Sequence, residues 1–111
     1  MRDNIKGGAL TETTFLILLA LYEPRHRYNI MQFIETQTEG RVTLGAGTLY
    51  GAINTLEKKN WISLIGSQED NKKKEYLITD IGKQIVTEEL NRLHTIGLLA
   101  TSIIREKGSN E

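Results

Sequence analysis

Small and hydrogen-bonding residues are concentrated in the segment "AGTLYGAINTLEKKN", which spans positions 46–60. Its leucines, alanine and isoleucine recur at i, i+3, i+4 and i+7, the spacing that predicts a helix with one buried face. That buried face consists of Leu49, Ala52, Ile53 and Leu56. The other face carries Thr48, Tyr50, Gly51, Asn54, Thr55 and Lys58. Hydroxyl, amide and ammonium groups are the donors and acceptors that contact phosphates and base edges in DNA.

Gly51 lies in the middle of this predicted exposed face. The major groove of B-DNA is only about 12 Å wide, so a residue without a side chain lets a helix lie deep in it. Tyr50 directly follows the buried Leu49, which favours an outward position. The alternative is that Tyr50 fills the joint with the preceding helix. The face as a whole predicts a helix that enters the major groove.

A second group of cations is the run Lys72, Lys73 and Lys74, which lies between two strand-like segments. Ammonium groups at the tip of a hairpin are well placed to contact phosphates. The alternative interpretation is an ordinary solvated turn. Lys58 has an alternative too, since a lysine near the C-terminus of a helix also complements the helix dipole.

Other kinds of chemistry find no support in the sequence. Cysteine is absent, which excludes disulfides, thiolate metal ligands and a cysteine nucleophile. His26 and His94 have no acidic partner at metal-ligand spacing, and His26 is better placed to cap a helix. Glu88 and Glu89 are interpreted as a solvated helix face. Because nucleophile and phosphate-loop motifs are also missing, we predict no enzyme, no cofactor and no metal site.

Two further helices are predicted ahead of this segment. Helix one, at about 12–22, is apolar nearly all round, which indicates burial on more than one side and a partner chain. Its cap is one of Thr11, Thr13 and Thr14. Pro24 ends it, and a tight corner leads into helix two within 25–38, where Ile30 and Ile34 share a face.

The segments "WISLIGS" and "KEYLIT" alternate and are rich in β-branched and aromatic residues, which predicts a two-stranded hairpin. An isolated hairpin is marginally stable in water, so it must lie against the helices. The side chains expected to face inward are Ile62, Leu64, Tyr76 and Ile78.

A long helix is predicted from Thr79, its cap, to about Lys107. It is about 40 Å long at 1.5 Å per residue, so its far half has no partner within one chain. A second copy of the protein is the simplest partner. The residues predicted to line the dimer interface, or a cavity within it, are Phe15, Leu19, Leu90, Leu93, Gly97, Leu98 and Ile104.

The chain of 111 residues has no net charge, but its charges are unevenly distributed. Residues 24–74 carry eight lysines and arginines against five acids, whereas residues 75–111 carry four against six. A modestly positive middle suits contact with phosphates. The apolar run at 15–22 is too short to span a bilayer, so no membrane is expected. With the absence of cysteine, this predicts a cytoplasmic protein.

Three helices followed by a hairpin is the order of a winged helix-turn-helix. The predicted fold is therefore mainly α with a small antiparallel β-hairpin, a winged helix-turn-helix followed by a long C-terminal helix. Residues 1–79 form the predicted DNA-binding domain. Residues 80–111 form the predicted dimerisation helix, which packs with helix 12–22 of the partner.

Three motifs resemble those of the PadR-like transcriptional regulators, specifically the short members with a single C-terminal dimerisation helix. "HRYNI" (26–30) is similar to H-G-Y-x-I, and "AGTLYGAINTLEKKNWI" (46–62) to P-G-T-L-Y-x-x-L-x-x-L-E-x-x-G-L-I. "DNKKKEYLITDIG" (70–82) is similar to D-x-R-R-K-Y-Y-x-L-T-x-x-G. The chain departs from these motifs at three places: Arg27 replaces a glycine, Asn60-Trp61 a glycine-leucine pair, and Glu75 a tyrosine.

The resemblance implies a homodimeric regulator of double-stranded DNA, expected to be a repressor on two roughly palindromic half-sites one helical turn apart. The residues expected to contact DNA are Tyr28, Thr48, Tyr50, Gly51, Asn54, Lys58, Lys72, Lys73 and Lys74. The resemblance further implies a cavity in the dimer for a flat aromatic effector. The alternative is a winged-helix protein-interaction module that does not bind DNA, which the zero net charge favours.

Overall fold

The computed structural model describes residues 8–65 and 74–108. Within these residues it contains α1 (Glu12–Ala20), α2 (Arg27–Gln37), α3 (Ala46–Lys58), β1 (Ile62–Leu64), β2 (Tyr76–Ile78) and α4 (Asp80–Gly108). The two strands pair in antiparallel fashion. The predicted fold class, a mainly helical winged helix-turn-helix with a long final helix, is confirmed.

The first helix, α1, lies at the centre of the core. Its start is fixed by Thr11, whose hydroxyl accepts a hydrogen bond from the Thr14 backbone N–H at 3.1 Å. It ends at Ala20 rather than at residue 22. The core consists of Ile17, Leu18, Ala20, Leu21, Ile30, Ile34, Leu49, Ile53, Leu56, Ile62, Tyr76, Ile78 and Val86. Every described element contributes to this core, so the body of the molecule packs as one unit.

The turn between α2 and α3 is fixed by local hydrogen bonds and by two residues with left-handed backbone. The Thr38 hydroxyl donates to the Ile34 carbonyl at 2.8 Å and accepts from the Val42 N–H at 3.1 Å. Glu39 and Gly40 have φ values of 53° and 81°, in the left-handed region. Glycine adopts this region without steric cost, so Gly40 allows the chain to reverse here.

The corner between α3 and β1 depends on Asn60, which replaces the glycine of the motif. Its φ of 65° is left-handed. Asparagine tolerates this conformation better than most residues because its short side chain hydrogen-bonds locally. The next residue, Trp61, donates its N–H to the Leu56 carbonyl at 3.1 Å. Asn60 therefore makes the same turn that a glycine would.

The paired strands place Ile62 opposite Ile78 and Leu64 opposite Tyr76. Ile62, Tyr76 and Ile78 are buried, as predicted. The prediction for Leu64 is wrong, because its side chain is 36% exposed. Leu64 is the last residue of β1, and within this strand only Ile62 is buried.

The long helix α4 is anchored at its start. The Thr79 hydroxyl caps the helix by accepting from the Gly82 N–H at 3.0 Å, and it donates to the Asn60 carbonyl at 2.7 Å. Gly82 is buried so closely that a Cβ atom there would lie 2.3 Å from the Trp61 carbonyl oxygen. The first turns of α4 are thus fixed to the corner between α3 and β1.

The second half of α4 extends away from the body. All described residues from 93 to 108 are exposed. The molecule measures 64 × 30 × 26 Å, and its long dimension reflects this projecting helix. None of the described helices combines the length and apolarity that crossing a bilayer requires.

Candidate nucleic-acid interface

The predicted recognition helix, α3, packs against the body of the molecule through the face that its sequence pattern predicts to be buried. Leu49, Ile53 and Leu56 are buried in the core. Ala52, the fourth predicted member, is half-buried. Because this side of α3 is packed against the body, the opposite side faces solvent.

Thr48, Tyr50, Gly51, Asn54 and Lys58 are all exposed on that opposite side. Gly51, Asn54 and Lys58 follow one another at i, i+3 and i+7 and so form a line along the helix. Thr48 and Tyr50 lie on opposite flanks of this line. A Cβ atom added at Gly51 would meet nothing within 4 Å among the described residues. Packing within the described chain therefore does not require a glycine at this position.

Tyr50 combines the two alternatives considered for it, an outward position and contact with the preceding helix. Its side chain is 43% exposed, so it does face outward from α3. One face of its ring is nevertheless covered by α2, because the Arg27 guanidinium carbon lies 4.2 Å from the ring centroid. The ring thus bridges the two helices while its other face remains accessible.

The start of α2 adds a second exposed tyrosine. Tyr28 is 62% exposed, and its hydroxyl accepts a hydrogen bond from the Gln32 side chain at 3.3 Å. His26 occupies the N-cap position, where its backbone carbonyl accepts from the Ile30 N–H at 3.1 Å. The predicted cap is therefore confirmed, although it acts through the backbone and the side chain makes no capping hydrogen bond.

The hairpin of β1 and β2 is the wing of the winged helix-turn-helix. It continues beyond the regular strands, since the Ile65 N–H donates to the Glu75 carbonyl at 2.8 Å. Lys74, which precedes Glu75, is exposed. Lys72 and Lys73 lie outside the described residues. Of the predicted lysine run, the structure therefore describes the position of Lys74 alone.

Away from α3, an open groove of about 470 Å³ lies between α1 and α4. It is lined by Leu10, Thr11, Glu12, Phe15, Leu16, Leu19, Glu89, Arg92 and Leu93. Three residues predicted for a cavity, Phe15, Leu19 and Leu93, are thus brought together. Gly97 is not part of this lining and faces open space one turn further along α4.

The groove also contains a charged pair that the sequence pattern did not predict. Glu89 is only 5% exposed, so the interpretation of Glu88 and Glu89 as a solvated face is wrong for Glu89. It accepts two hydrogen bonds from Arg92, one of them from Nε at 3.0 Å. This partner lowers the pKa of the Glu89 carboxyl, burial opposes the shift, and the Arg92 charge and the Leu10 backbone N–H add to it.

Other apolar side chains of α4 are exposed, including those of the predicted Leu90, Leu98 and Ile104. Ile96 and Ile103 are exposed as well and share a stripe with Leu93, at i, i+3 and i+10. Leu98 lies about 140° around the helix from Leu93 and is outside this stripe. The sequence signal for Ile96 and Ile103 is the same helical periodicity.

The sequence also matches a known protein family. Residues 15–88 match the family model described as the transcriptional regulator PadR-like family. The chain belongs to this family. The resemblance of the three sequence motifs to this family is confirmed.

A relative of known name is also described as a transcriptional regulator. The HTH-type transcriptional regulator SarZ of Staphylococcus epidermidis is 32% identical over 83 residues, which cover 75% of this chain and 52% of SarZ. The chain therefore spans about half the length of that relative.

Solved structures share the fold of this PadR-like chain. A transcriptional regulator from Clostridium thermocellum superimposes with a TM-score of 0.67 at 21% identity, covering 84% of this chain and 92% of that one. A PadR family transcriptional regulator from Eggerthella lenta gives a TM-score of 0.64 at 20% identity, covering 83% and 80%. At these identities the likeness concerns the fold alone.

Proposed function

We propose that this PadR-like regulator binds double-stranded DNA with α3 in the major groove. The observation that carries the proposal is the outer face of α3. Gly51 leaves the middle of that face bare, while Thr48, Tyr50, Asn54 and Lys58 supply donors and acceptors around it. A helix with a bare centre and polar edges lies close to base edges and reaches phosphates on either side.

Two neighbouring elements contribute phosphate contacts in this proposal. Tyr28 projects from the first turn of α2 and is exposed, as is Lys74 next to the hairpin. We propose that these two residues, together with Lys72 and Lys73, contact the DNA backbone. Such contacts orient the protein on the duplex and add affinity without reading its sequence.

The proposed functional unit is a homodimer. The exposed stripe of Leu93, Ile96 and Ile103 continues the α1–α4 groove along the projecting half of α4. Contiguous apolar surface of this kind is typical of protein interfaces. In the proposed division, residues 1–79 form the DNA-binding part and residues 80–111 the dimerisation helix, which packs against helix 12–22 of the partner.

A twofold dimer places two copies of α3 against two half-sites, which explains the proposed palindromic operator with half-sites one helical turn apart. A regulator bound across such an operator blocks access of the transcription machinery, so we propose repression. A small aromatic effector is proposed to bind in the groove beside Phe15, Leu19 and Leu93 and to release the protein from DNA. The apolar walls of this groove suit a flat ring.

Fluorescence anisotropy with labelled DNA from upstream of the protein's own gene tests the proposal. We expect saturable binding that unlabelled upstream DNA reverses more effectively than a scrambled duplex does. Equal competition by the two duplexes would contradict sequence-specific recognition. Absence of binding to every duplex, even at low salt, would contradict DNA binding altogether.

A protein-interaction module is the second candidate, because the chain has no net charge to attract DNA from a distance. The same titrations separate the two functions. An interaction module predicts no affinity for any duplex at low salt, whereas a DNA-binding regulator gains affinity steeply as salt falls.

A further inference from the structure

Arg27 is the first residue of α2, and its guanidinium carbon lies 4.2 Å from the centroid of the Tyr50 ring in α3. It stands where the PadR-like motif has a glycine, so this contact is a property of this chain rather than of the motif. A guanidinium stacked on an aromatic face is fixed in orientation, while the N–H donors at its edge remain free.

Arg27 forms no ion pair with any carboxylate among the described residues. Other arginines of the body have acidic partners, in the pairs Arg25–Glu23, Arg41–Glu12 and Arg92–Glu89. No carboxylate of the described residues lies within 4 Å of Arg27. The structure thus holds the Arg27 guanidinium in a defined position beside the exposed face of α3.

The surroundings of Arg27 show which side of α3 it occupies. Tyr50 lies on one flank of the line formed by Gly51, Asn54 and Lys58, so Arg27 is beside this face rather than on it. A helix lying in the major groove has base edges beneath its central line and the sugar-phosphate backbones along its flanks. A cation on the flank is therefore placed to meet a phosphate.

We propose that Arg27, positioned by the ring of Tyr50, contacts a phosphate at the edge of the groove that α3 enters. This inference rests on the proposed function, namely that α3 binds DNA. The planar guanidinium is suited to two parallel hydrogen bonds to phosphate oxygens, and the ring reduces the orientational freedom that such binding would otherwise remove. Tyr50 consequently acts in two ways, through its hydroxyl and through its ring.

The first experiment measures affinity for a mixed-sequence duplex as a function of salt concentration. Arg27→Gln is expected to reduce the slope of log K against log salt by about 0.9, which corresponds to about eightfold weaker binding near 0.1 M salt. The matched control is Arg105→Gln, which removes one arginine charge in the last turn of α4, on the side away from the stripe of Leu93, Ile96 and Ile103, and is expected to leave the slope unchanged.

Failure of this inference and failure of the proposed function give different results. If the wild-type protein binds and Arg27→Gln retains the full slope, Arg27 does not contact a phosphate and the inference is overturned, while DNA binding by α3 stands. If the wild-type protein binds no duplex, the proposed function fails and this inference fails with it. Thermal melts of each variant establish that the protein compared is folded.

The second experiment tests the role of the ring by combining Arg27→Gln with Tyr50→Phe and with Tyr50→Leu. Phenylalanine keeps the ring, so Arg27→Gln should again weaken binding by about eightfold. Leucine removes the ring, so the same change should weaken binding by less than about threefold, since interacting residues are not additive. Equal losses of affinity on Arg27→Gln in the wild-type, Tyr50→Phe and Tyr50→Leu backgrounds would refute the positioning role of Tyr50.

Discussion

Gly51 and Gly82 both lie inside helices, and their surroundings are opposite. Gly51 faces open space, whereas Gly82 is pressed against the Trp61 carbonyl. Glycine makes a helix less stable by about 1 kcal/mol than alanine does, so each glycine has a cost. At Gly82 the cost is offset by close packing within the chain. At Gly51 no such packing gain exists among the described residues. We therefore attribute this glycine to the close approach of a molecule outside the chain.

Single substitutions on α3 separate reading of bases from general attraction to DNA. Asn54→Ala and Tyr50→Phe are expected to weaken binding to operator DNA more than binding to scrambled DNA, because a lost base-edge contact costs about 1–3 kcal/mol of discrimination. Gly51→Leu should abolish specific binding by obstructing approach to the groove floor, while raising the melting temperature slightly. Anisotropy titrations and thermal melts measure both effects. Normal operator binding by Gly51→Leu would show that α3 does not enter the groove.

A pH-dependent stability difference is predicted at Glu89. Its pKa is lowered from 4.5 in the folded protein, chiefly by the hydrogen bonds from Arg92, so its contribution to stability is present above this pH and is lost as the pH falls through the lower folded value. Glu89→Gln should reduce the free energy of unfolding near pH 7 by about 1.5–3 kcal/mol, with a smaller difference near pH 3. Denaturant titrations at both pH values measure this.

The control for this prediction is the neighbouring Glu88, which is exposed on the same turn of α4. Glu88→Gln is expected to change the free energy of unfolding by no more than about 0.5 kcal/mol at either pH. If Glu89→Gln behaves like Glu88→Gln, the buried pair with Arg92 does not stabilise the fold.

Among the elements, the docking of α4 on the body depends on Gly82. A methyl group there would lie 2.3 Å from the Trp61 carbonyl oxygen and 2.7 Å from Ile78 Cγ1. Gly82→Ala should therefore destabilise the protein by about 1–3 kcal/mol, although alanine is the better helix former. Gly51→Ala is the matched control and should stabilise it by about 0.5–1 kcal/mol. Denaturant unfolding of both variants checks the sign, and stabilisation by Gly82→Ala would contradict the close approach.

The elements themselves follow from local sequence signals. The apolar spacing of α3, the threonine caps at Thr11 and Thr79 and the alternating strands are properties of short segments, and the structure contains each of them. Hydrogen bonding within four residues and periodic burial determine such features, so they can be predicted without knowledge of the tertiary structure.

The features that the sequence did not reveal depend on residues far apart in the chain. Glu89 is buried because α1 and the segment before it cover that turn of α4. Leu64, at the end of β1, is exposed although its alternation with Ile62 predicted burial. The contact between Arg27 and Tyr50 joins the first turn of α2 to the second turn of α3. Periodicity specifies which face of an element is apolar, but not how far a neighbouring element extends across it.

At the scale of the whole molecule, the shape is the strongest argument for a partner. The body buries its core around α1, yet α4 projects until the molecule is 64 Å long. An exposed apolar stripe on a projecting helix leaves hydrophobic surface in water, which association with a second copy would remove. The α1–α4 groove opens beside the beginning of this stripe, so one continuous surface is available to the partner.

The dimer is tested by sedimentation equilibrium at micromolar concentration. The wild-type protein is expected to give about twice its monomer mass of 12.6 kDa. Ile96→Glu places a charge in the middle of the stripe and should shift the equilibrium toward monomer, because an unpaired carboxylate would be buried in the interface. Asn91→Glu adds the same charge on the opposite side of α4 and should leave the dimer intact. A monomeric wild-type protein would contradict both the dimer and the model of two half-sites, whereas dissociation by Asn91→Glu would show that more than one face of α4 is covered.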